Sequence, residues 1–181
     1  MKLKNFNYSF TIIPTLGDGN CLIHAALGCC NSKYLNSNKK EKSNIALQLR
    51  KDLADLLDIK IKDKTFYQNL SRGQLEEISQ HVYEVKKEYM QSYLRSQQWL
   101  TAVYLELLST VLNINIVLIS AKERDFYHTG DKEIFFQYRH TIFINYIDQL
   151  HFESMGIHTK DGLKTLFHRD GEIIKSLKKI L

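Results

Sequence analysis

The chain has 181 residues, 44% hydrophobic and 25% charged, a composition that excludes a disordered or fibrous chain and suits a single domain, residues 1–181, whose core needs no disulfide or structural metal. Lys and Arg total 25 against 20 Asp and Glu, a formal charge of +5, but the basic residues are scattered in short pairs such as Lys39-Lys40, Lys86-Lys87 and Lys178-Lys179 without interleaved aromatics, so nucleic acid is not expected as a partner. Three cysteines, Cys21, Cys29 and Cys30, with no CxxC pattern argue against a secreted disulfide framework or a zinc site.

Residues 8–13 read as a short strand, stopped by Pro14 and by the turn-forming Gly17-Asp18-Gly19-Asn20. Leu22, Ala25, Ala26 and Cys29 recur at helical spacing, so a helix is predicted from about Cys21, with Cys29 in the core. Residues 31–42 are polar and read as a loop. Ile45, Leu49, Leu53 and Leu56 form one helical stripe, and Leu75, Ile78, Val82, Val85 and Tyr89 form another. A third runs through Thr101, Leu105, Leu108 and Leu112 in residues 99–112. Residues 114–119 are a nearly continuous β-branched run, as expected of a central strand covered on both faces. Residues 134–138 and 141–147 suit two strands of a hairpin turning at Arg139-His140. Residues 151–155 suit a final strand closed by Gly156, and residues 172–181 a terminal helix. The fold class expected is α+β. No run reaches the ~20 apolar residues of a membrane span, and the N-terminus lacks the apolar stretch of a signal peptide. The expectation is a soluble protein working in a reducing compartment, the cytosol.

Cys21 stands where a glycine-bearing turn enters a helix, beside unpaired N–H groups and the positive end of the helix dipole, a setting that favours thiolate. Backbone N–H groups of the same turn, from Asp18, Gly19, Asn20 and Cys21, are placed to hold a developing oxyanion. His151 is the candidate base. Glu153, two residues on in a strand, projects from the same face and is placed to orient the ring. By themselves these residues equally suit a core cysteine and an ordinary His-x-Glu pair in a sheet.

The string Gly17-Asp18-Gly19-Asn20-Cys21-Leu22-Ile23-His24-Ala25 resembles the nucleophile motif of the ovarian-tumour (OTU) family of cysteine proteases. The similarity continues through Trp99, the strand at residues 113–120, residues 143–146, and His151-Phe152-Glu153-Ser154-Met155, which resembles the family's closing histidine segment. It implies a papain-like OTU fold, a small, mostly antiparallel sheet packed between helices. It also implies a deubiquitinase in which Cys21 attacks the carbonyl at the ubiquitin C-terminus and His151 moves the proton, with no cofactor and no metal. In the family the residue two after the histidine often completes the triad, here Glu153, while some members use the aspartate three before the cysteine, here Asp18. Asp18 equally suits a turn residue that shapes the loop. The family's glycine pair after the tryptophan is missing, with Leu100, Thr101 and Tyr104 in that stretch, and Trp99 is expected as a buried aromatic anchor. His24 occupies a basic position of the motif and suits capping or packing. His81, His128, His140, His158 and His168 lack partners at ligand spacing.

The partners implied are ubiquitin or polyubiquitin chains, with the protein a monomer. The basic ubiquitin tail would be helped into a channel by acidic groups, for which Glu123 and Asp125, with Asp131 and Glu133, are candidates. The rival readings are an OTU-fold protease acting on another ubiquitin-like modifier or on a polyprotein, and a non-catalytic ubiquitin-binding or RNA-binding module. With six Arg among the 25 basic residues and frequent Asn and Ile, the chain suits an AT-rich genome, as in a virus or an intracellular bacterium acting on host ubiquitin.

Overall fold

The computed structural model describes residues 6–120, 125–129, 138–148 and 150–179. β1 (Phe10–Ile13) leads through the glycine-bearing turn into α1 (Cys21–Cys30), followed by α2 (Ser32–Leu35) and α3 (Lys39–Leu56). The polar run 31–42 is therefore not a loop throughout. Asn38 accepts a hydrogen bond from the Glu41 N–H while the Glu41 carboxylate accepts one from the Asn38 N–H, and this capping box starts α3 inside the run. The fully buried residues of α3 are Ala46, Arg50, Leu53 and Ala54, and Ile45 and Leu49 of the expected stripe pack partly buried against the same core.

A small hairpin of β2 (Lys60–Ile61) and β3 (Lys64–Thr65) precedes α4 (Phe66–Asn69), α5 (Gln74–Ile78) and α6 (Lys87–Arg95). The stripe from Leu75 to Tyr89 is thus cut in two. The Ser79 hydroxyl donates back to the Glu76 carbonyl, and Val82 is extended, so the helix stops and a 3-10 turn at Tyr83–Val85 intervenes. The third stripe shortens to α7 (Leu105–Leu112). Trp99, expected as a buried anchor, is 49% exposed, and Leu100 is buried in its place.

The remaining elements are β4 (Ile114–Ser120), β5 (Asp125–His128), β6 (His140–Ile147), β7 (His151–Thr159), β8 (Gly162–Lys164), β9 (Leu166–Phe167) and α8 (Glu172–Leu177). The main sheet runs β1-β7-β6-β4-β5, antiparallel except for the parallel pair β4 and β6, with β8 on β7 and β9 on β6. Every residue of β4 is buried, as its composition predicts. Its alternate side chains feed two cores. Ile116 and Leu118 join Ile144, Phe152 and the residues of α1 on one face. Val117 and Ile119 join Phe10, Phe143, Met155 and Leu177 of α8 on the other. Helices and a mixed sheet in these layers make an α+β fold.

β7 does not close at Gly156. That residue pairs with Thr11 of β1, and the strand runs on to Thr159 because β8 pairs beside it. A Cβ on Gly156 would lie 2.8 Å from Leu163 Cδ1 and 3.0 Å from the Lys164 carbonyl oxygen, so the close passage of β8 requires glycine. Of the strand expected at 134–138, residues 134–137 lie outside the described residues, and Tyr138 begins a turn into β6. Among the described residues no helix is long and apolar enough to cross a membrane.

Candidate active site

α1 is seated on β7 by a direct contact. The Ser154 hydroxyl donates to the Ala25 carbonyl at 2.9 Å, and a Cβ on Gly28 would come 2.7 Å from the Ser154 oxygen. Ahead of the helix, the Thr15 hydroxyl donates to the Phe152 carbonyl at 2.6 Å. These bonds bring the start of α1 to the start of β7, and so bring Cys21 beside the strand that His151 opens.

The turn before Cys21 is shaped by Gly19, whose φ is +82°. A Cβ there would also lie 3.1 Å from the Gln97 carbonyl oxygen, so glycine answers both the backbone and the space. Asn20 occupies the N-cap position of α1 without capping it. Its Oδ1 instead accepts from Arg50 Nη1 at 3.0 Å. The first turn of α1 is left without a side-chain cap, an unusual use of a residue that ordinarily satisfies an N–H group there.

Cys21 is only 1% exposed. Burial pushes its thiol above the ordinary value, ahead of the N–H groups of Phe152, Leu22 and Cys21 itself, which pull it down, and of the Asp18 charge, which adds to the rise. Burial thus works against the thiolate that the helix end favours. Desolvation outweighs the N–H groups, and no hydrogen bond joins the sulfur to His151 among the described residues.

His151 is half-buried at the first position of β7, where it pairs with Ile147 of β6 and lies beyond the β1 pairing, whose register ends at Ser154. Glu153 lies two residues on, and its Oε2 accepts from Asn145 Nδ2 at 3.2 Å, the two residues being direct cross-strand partners in β6 and β7. The other oxygen of Glu153 is not used in that bond.

Asp18 faces a different histidine. Its Oδ1 accepts from His24 Nε2 at 2.9 Å and from the Asn20 N–H at 3.2 Å, and its Oδ2 accepts from the Ser43 hydroxyl at 2.8 Å. With Nε2 donating to a carboxylate, neutral His24 accepts at Nδ1 from the Tyr34 hydroxyl, 2.7 Å away. Burial works to raise the Asp18 carboxyl and is outweighed by Ser43, His24 and Asn20, which hold it below the ordinary value. His24, fully buried, is pushed down by desolvation, against the raising effect of Asp18 and with a further lowering from Lys42. His24 is therefore a structural link between α1 and the turn. Asn20 is also removed from the expected set of oxyanion donors, because its N–H is spent on Asp18.

The sequence did not reveal Arg50, buried to 1% exposure in the middle of α3. Its signal was available, since a charge at the i+4 position from Ala46 and four before Ala54 falls on the apolar face. Asn145 likewise interrupts the apolar run of β6. The Phe152 N–H carries no signal at all, because a backbone donor has no sequence. Of the acidic candidates, Glu123, Asp131 and Glu133 lie outside the described residues. Asp125 pairs with Ser120 through its backbone in β5, and its side chain is outside the described set.

A search of curated proteins found no match. Solved structures share the fold at low sequence identity. An ovarian-tumour domain in complex with ubiquitin superposes with a TM-score of 0.58 at 13% identity, covering 99% of this chain and 91% of that one. The viral OTU domain proteases of Taggert virus and Dera Ghazi Khan virus follow at TM-scores of 0.54 and 0.52, with 14% and 18% identity. The first covers 86% of this chain and 84% of its own, the second 86% of each. The model of the OTU-like cysteine protease family matches residues 16–154, from the turn before Cys21 to the strand of His151 and Glu153. With most of its length inside that match, the chain belongs to the OTU-like cysteine protease family.

Proposed function

We propose that this chain is a deubiquitinase that hydrolyses the peptide or isopeptide bond after the ubiquitin C-terminus. The observation that carries the proposal is the meeting of two elements. The Ser154–Ala25 and Thr15–Phe152 hydrogen bonds hold the uncapped helix start that carries Cys21 beside the start of β7, where His151 stands. Membership of a cysteine protease family and the fold shared with a ubiquitin-bound OTU domain support the reading.

In this mechanism the buried thiol is neutral at rest, and His151, reaching over the open end of β7, takes its proton as the sulfur attacks the carbonyl carbon. The carbonyl oxygen becomes an oxyanion, held by N–H groups of the turn. The C–N bond then breaks, the leaving amine takes the proton from His151, and a thioester remains on Cys21. Water gives a proton to His151 and attacks the thioester, releasing the ubiquitin carboxylate and the thiol. Glu153 is assigned the orienting role, because Asn145 fixes one oxygen and leaves the other for the imidazole. Asp18, with both oxygens engaged elsewhere, is assigned to the turn.

The test is turnover of ubiquitin carrying a C-terminal fluorogenic amide. Cleavage by the parent protein and its loss in Cys21→Ala and His151→Ala is the expected result, and Asp18→Asn should retain more activity than Glu153→Gln. No turnover by the parent, or full activity in Cys21→Ala, would reject the proposal. Cleavage only of a ubiquitin-like modifier would move the substrate assignment to that modifier.

A further inference from the structure

Three consecutive peptide planes separate Asp18 from Cys21, and each is locked at its carbonyl. The Asp18 carbonyl accepts from Asn20 Nδ2 at 3.5 Å, and the Asn20 carbonyl accepts from the His24 N–H at 2.9 Å. The Gly19 carbonyl accepts from Arg50 Nη1 at 3.5 Å and from the Leu100 N–H at 3.4 Å. Because a peptide unit is planar, fixing a carbonyl fixes the direction of the N–H across the same bond. The Asn20 N–H so fixed is spent on Asp18. The Gly19 and Cys21 N–H groups are fixed too, yet neither meets an oxygen acceptor among the described residues, which leaves them as the two aimed donors of the turn.

Arg50 holds the middle plane at the Gly19 carbonyl, between the two planes that carry the Gly19 and Cys21 N–H groups, and reaches the first plane through Asn20, whose Oδ1 it fixes and whose Nδ2 donates to the Asp18 carbonyl. Besides Gly19 and Asn20, its guanidinium donates to the Leu94 carbonyl at 2.7 Å, the Tyr93 carbonyl at 2.8 Å and the Gln98 carbonyl at 2.6 Å. Every acceptor is a neutral oxygen and none is a carboxylate. The charge is instead met by the C-terminal carbonyls of α6, the negative end of that helix. A buried guanidinium is tolerated only when all of its N–H groups are satisfied, so the fork cannot release the turn without orphaning donors. Arg50 thereby joins three separate parts of the chain, α3, the end of α6 with the following strap, and the nucleophile turn.

We propose that Arg50 is a positioning residue for acyl transfer, clamping the turn against the end of α6 so that the Gly19 and Cys21 N–H groups stand ready for the oxyanion. This rests on the hydrolytic reading above and adds to it a residue that touches neither substrate nor sulfur. A clamp of this kind acts when charge develops on the carbonyl oxygen, not when ubiquitin binds or when the thiol is simply alkylated.

The experiment compares the parent with Arg50→Lys, which cannot reproduce the fork, with Asn20→Ala, which removes the Arg50 acceptor and the amide donor to the Asp18 carbonyl and leaves every backbone N–H, and with the double variant. Four readouts are taken: kcat and KM on the ubiquitin fluorogenic amide, iodoacetamide alkylation of Cys21 followed by mass, ubiquitin affinity in a Cys21→Ala background, and amide hydrogen exchange over residues 17–22. Removing one oxyanion donor outright costs about 100-fold to 1000-fold in kcat, so loosening the turn should cost roughly 10-fold to 100-fold. The expected pattern is that loss in kcat with KM, ubiquitin affinity and alkylation changed by less than about threefold, and faster exchange in the turn. The double variant should lose less than the product of the single losses, as sites sharing one contact do. Unchanged kcat in folded variants, or an equal fall in kcat and alkylation, would overturn the clamp. Should Arg50→Lys not fold, Asn20→Ala decides the question by the same readouts. A parent inert toward ubiquitin would reject the deubiquitinase reading alone, while unchanged exchange over residues 17–22 in the variants would reject the clamp alone.

Discussion

The proposed mechanism gives two histidines near one cysteine different jobs, and their surroundings separate them. His24 is sealed between Tyr34 and Asp18 with Lys42 nearby, and desolvation lowers its pKa. A histidine held neutral stabilises the fold above its unfolded pKa of about 6.5, and that contribution is lost as the pH falls through its lower folded value. Melting temperature should therefore drop between pH 7.5 and 5.5, and His24→Gln should flatten the drop. A profile identical in parent and variant would show that His24 is not the titrating group. Asp18 acts at lower pH, because its depressed carboxyl stabilises the fold above about 3.9 and loses that effect only in stronger acid. For Cys21 the sign is reversed. Its raised pKa predicts that iodoacetamide reacts with it slowly near neutrality and faster as the pH climbs past the ordinary thiol value of about 8.5. A rate already at its plateau at pH 7 would mean that a thiolate pre-exists in the free protein.

The packing of α1 on β7 decides where the nucleophile stands. Gly28 lets the helix lie against Ser154, and a methyl group there would displace the serine and its bond to Ala25. Gly28→Ala should destabilise the protein by about 1–3 kcal/mol, read from urea unfolding, and lower kcat by shifting Cys21 along the strand. Unchanged stability and activity would show that the contact is soft. Much of this was legible beforehand. Leu22, Ala25, Ala26 and Cys29 marked α1, and the β-branched run marked β4, because those patterns are set by each element's own contacts with the core. The middle helices were misjudged where local side-chain bonds overrode the hydrophobic period, as at the Asn38 and Glu41 box and at Ser79. Arg50 offered one hint, its place on the apolar face of α3, but its role was not legible because the backbone carbonyls that satisfy it come from residues more than 30 positions away.

Across the whole molecule the site is a product of the sheet order. β7 lies between β1 and β6, so the chain leaving β1 passes the start of β7 on its way to α1, and the helix start at residue 21 stands beside the strand start at residue 151 although 130 positions separate them. The motif at Cys21 and the segment at His151 were readable singly, and only the fold shows that the bonds of Ser154 to Ala25 and Thr15 to Phe152 bring their two elements together. The exposed Trp99 stands on the strap that Arg50 holds, close to Gly19.

The measurement that tests the central claim most directly is intact mass after mixing the protein with ubiquitin bearing a C-terminal thiol-reactive electrophile, beside Cys21→Ala and beside a ubiquitin-like modifier carrying the same group. The account predicts one ubiquitin added to the parent at Cys21 and none to Cys21→Ala. An unmodified parent, or an adduct that persists in Cys21→Ala through Cys29 or Cys30, would contradict it.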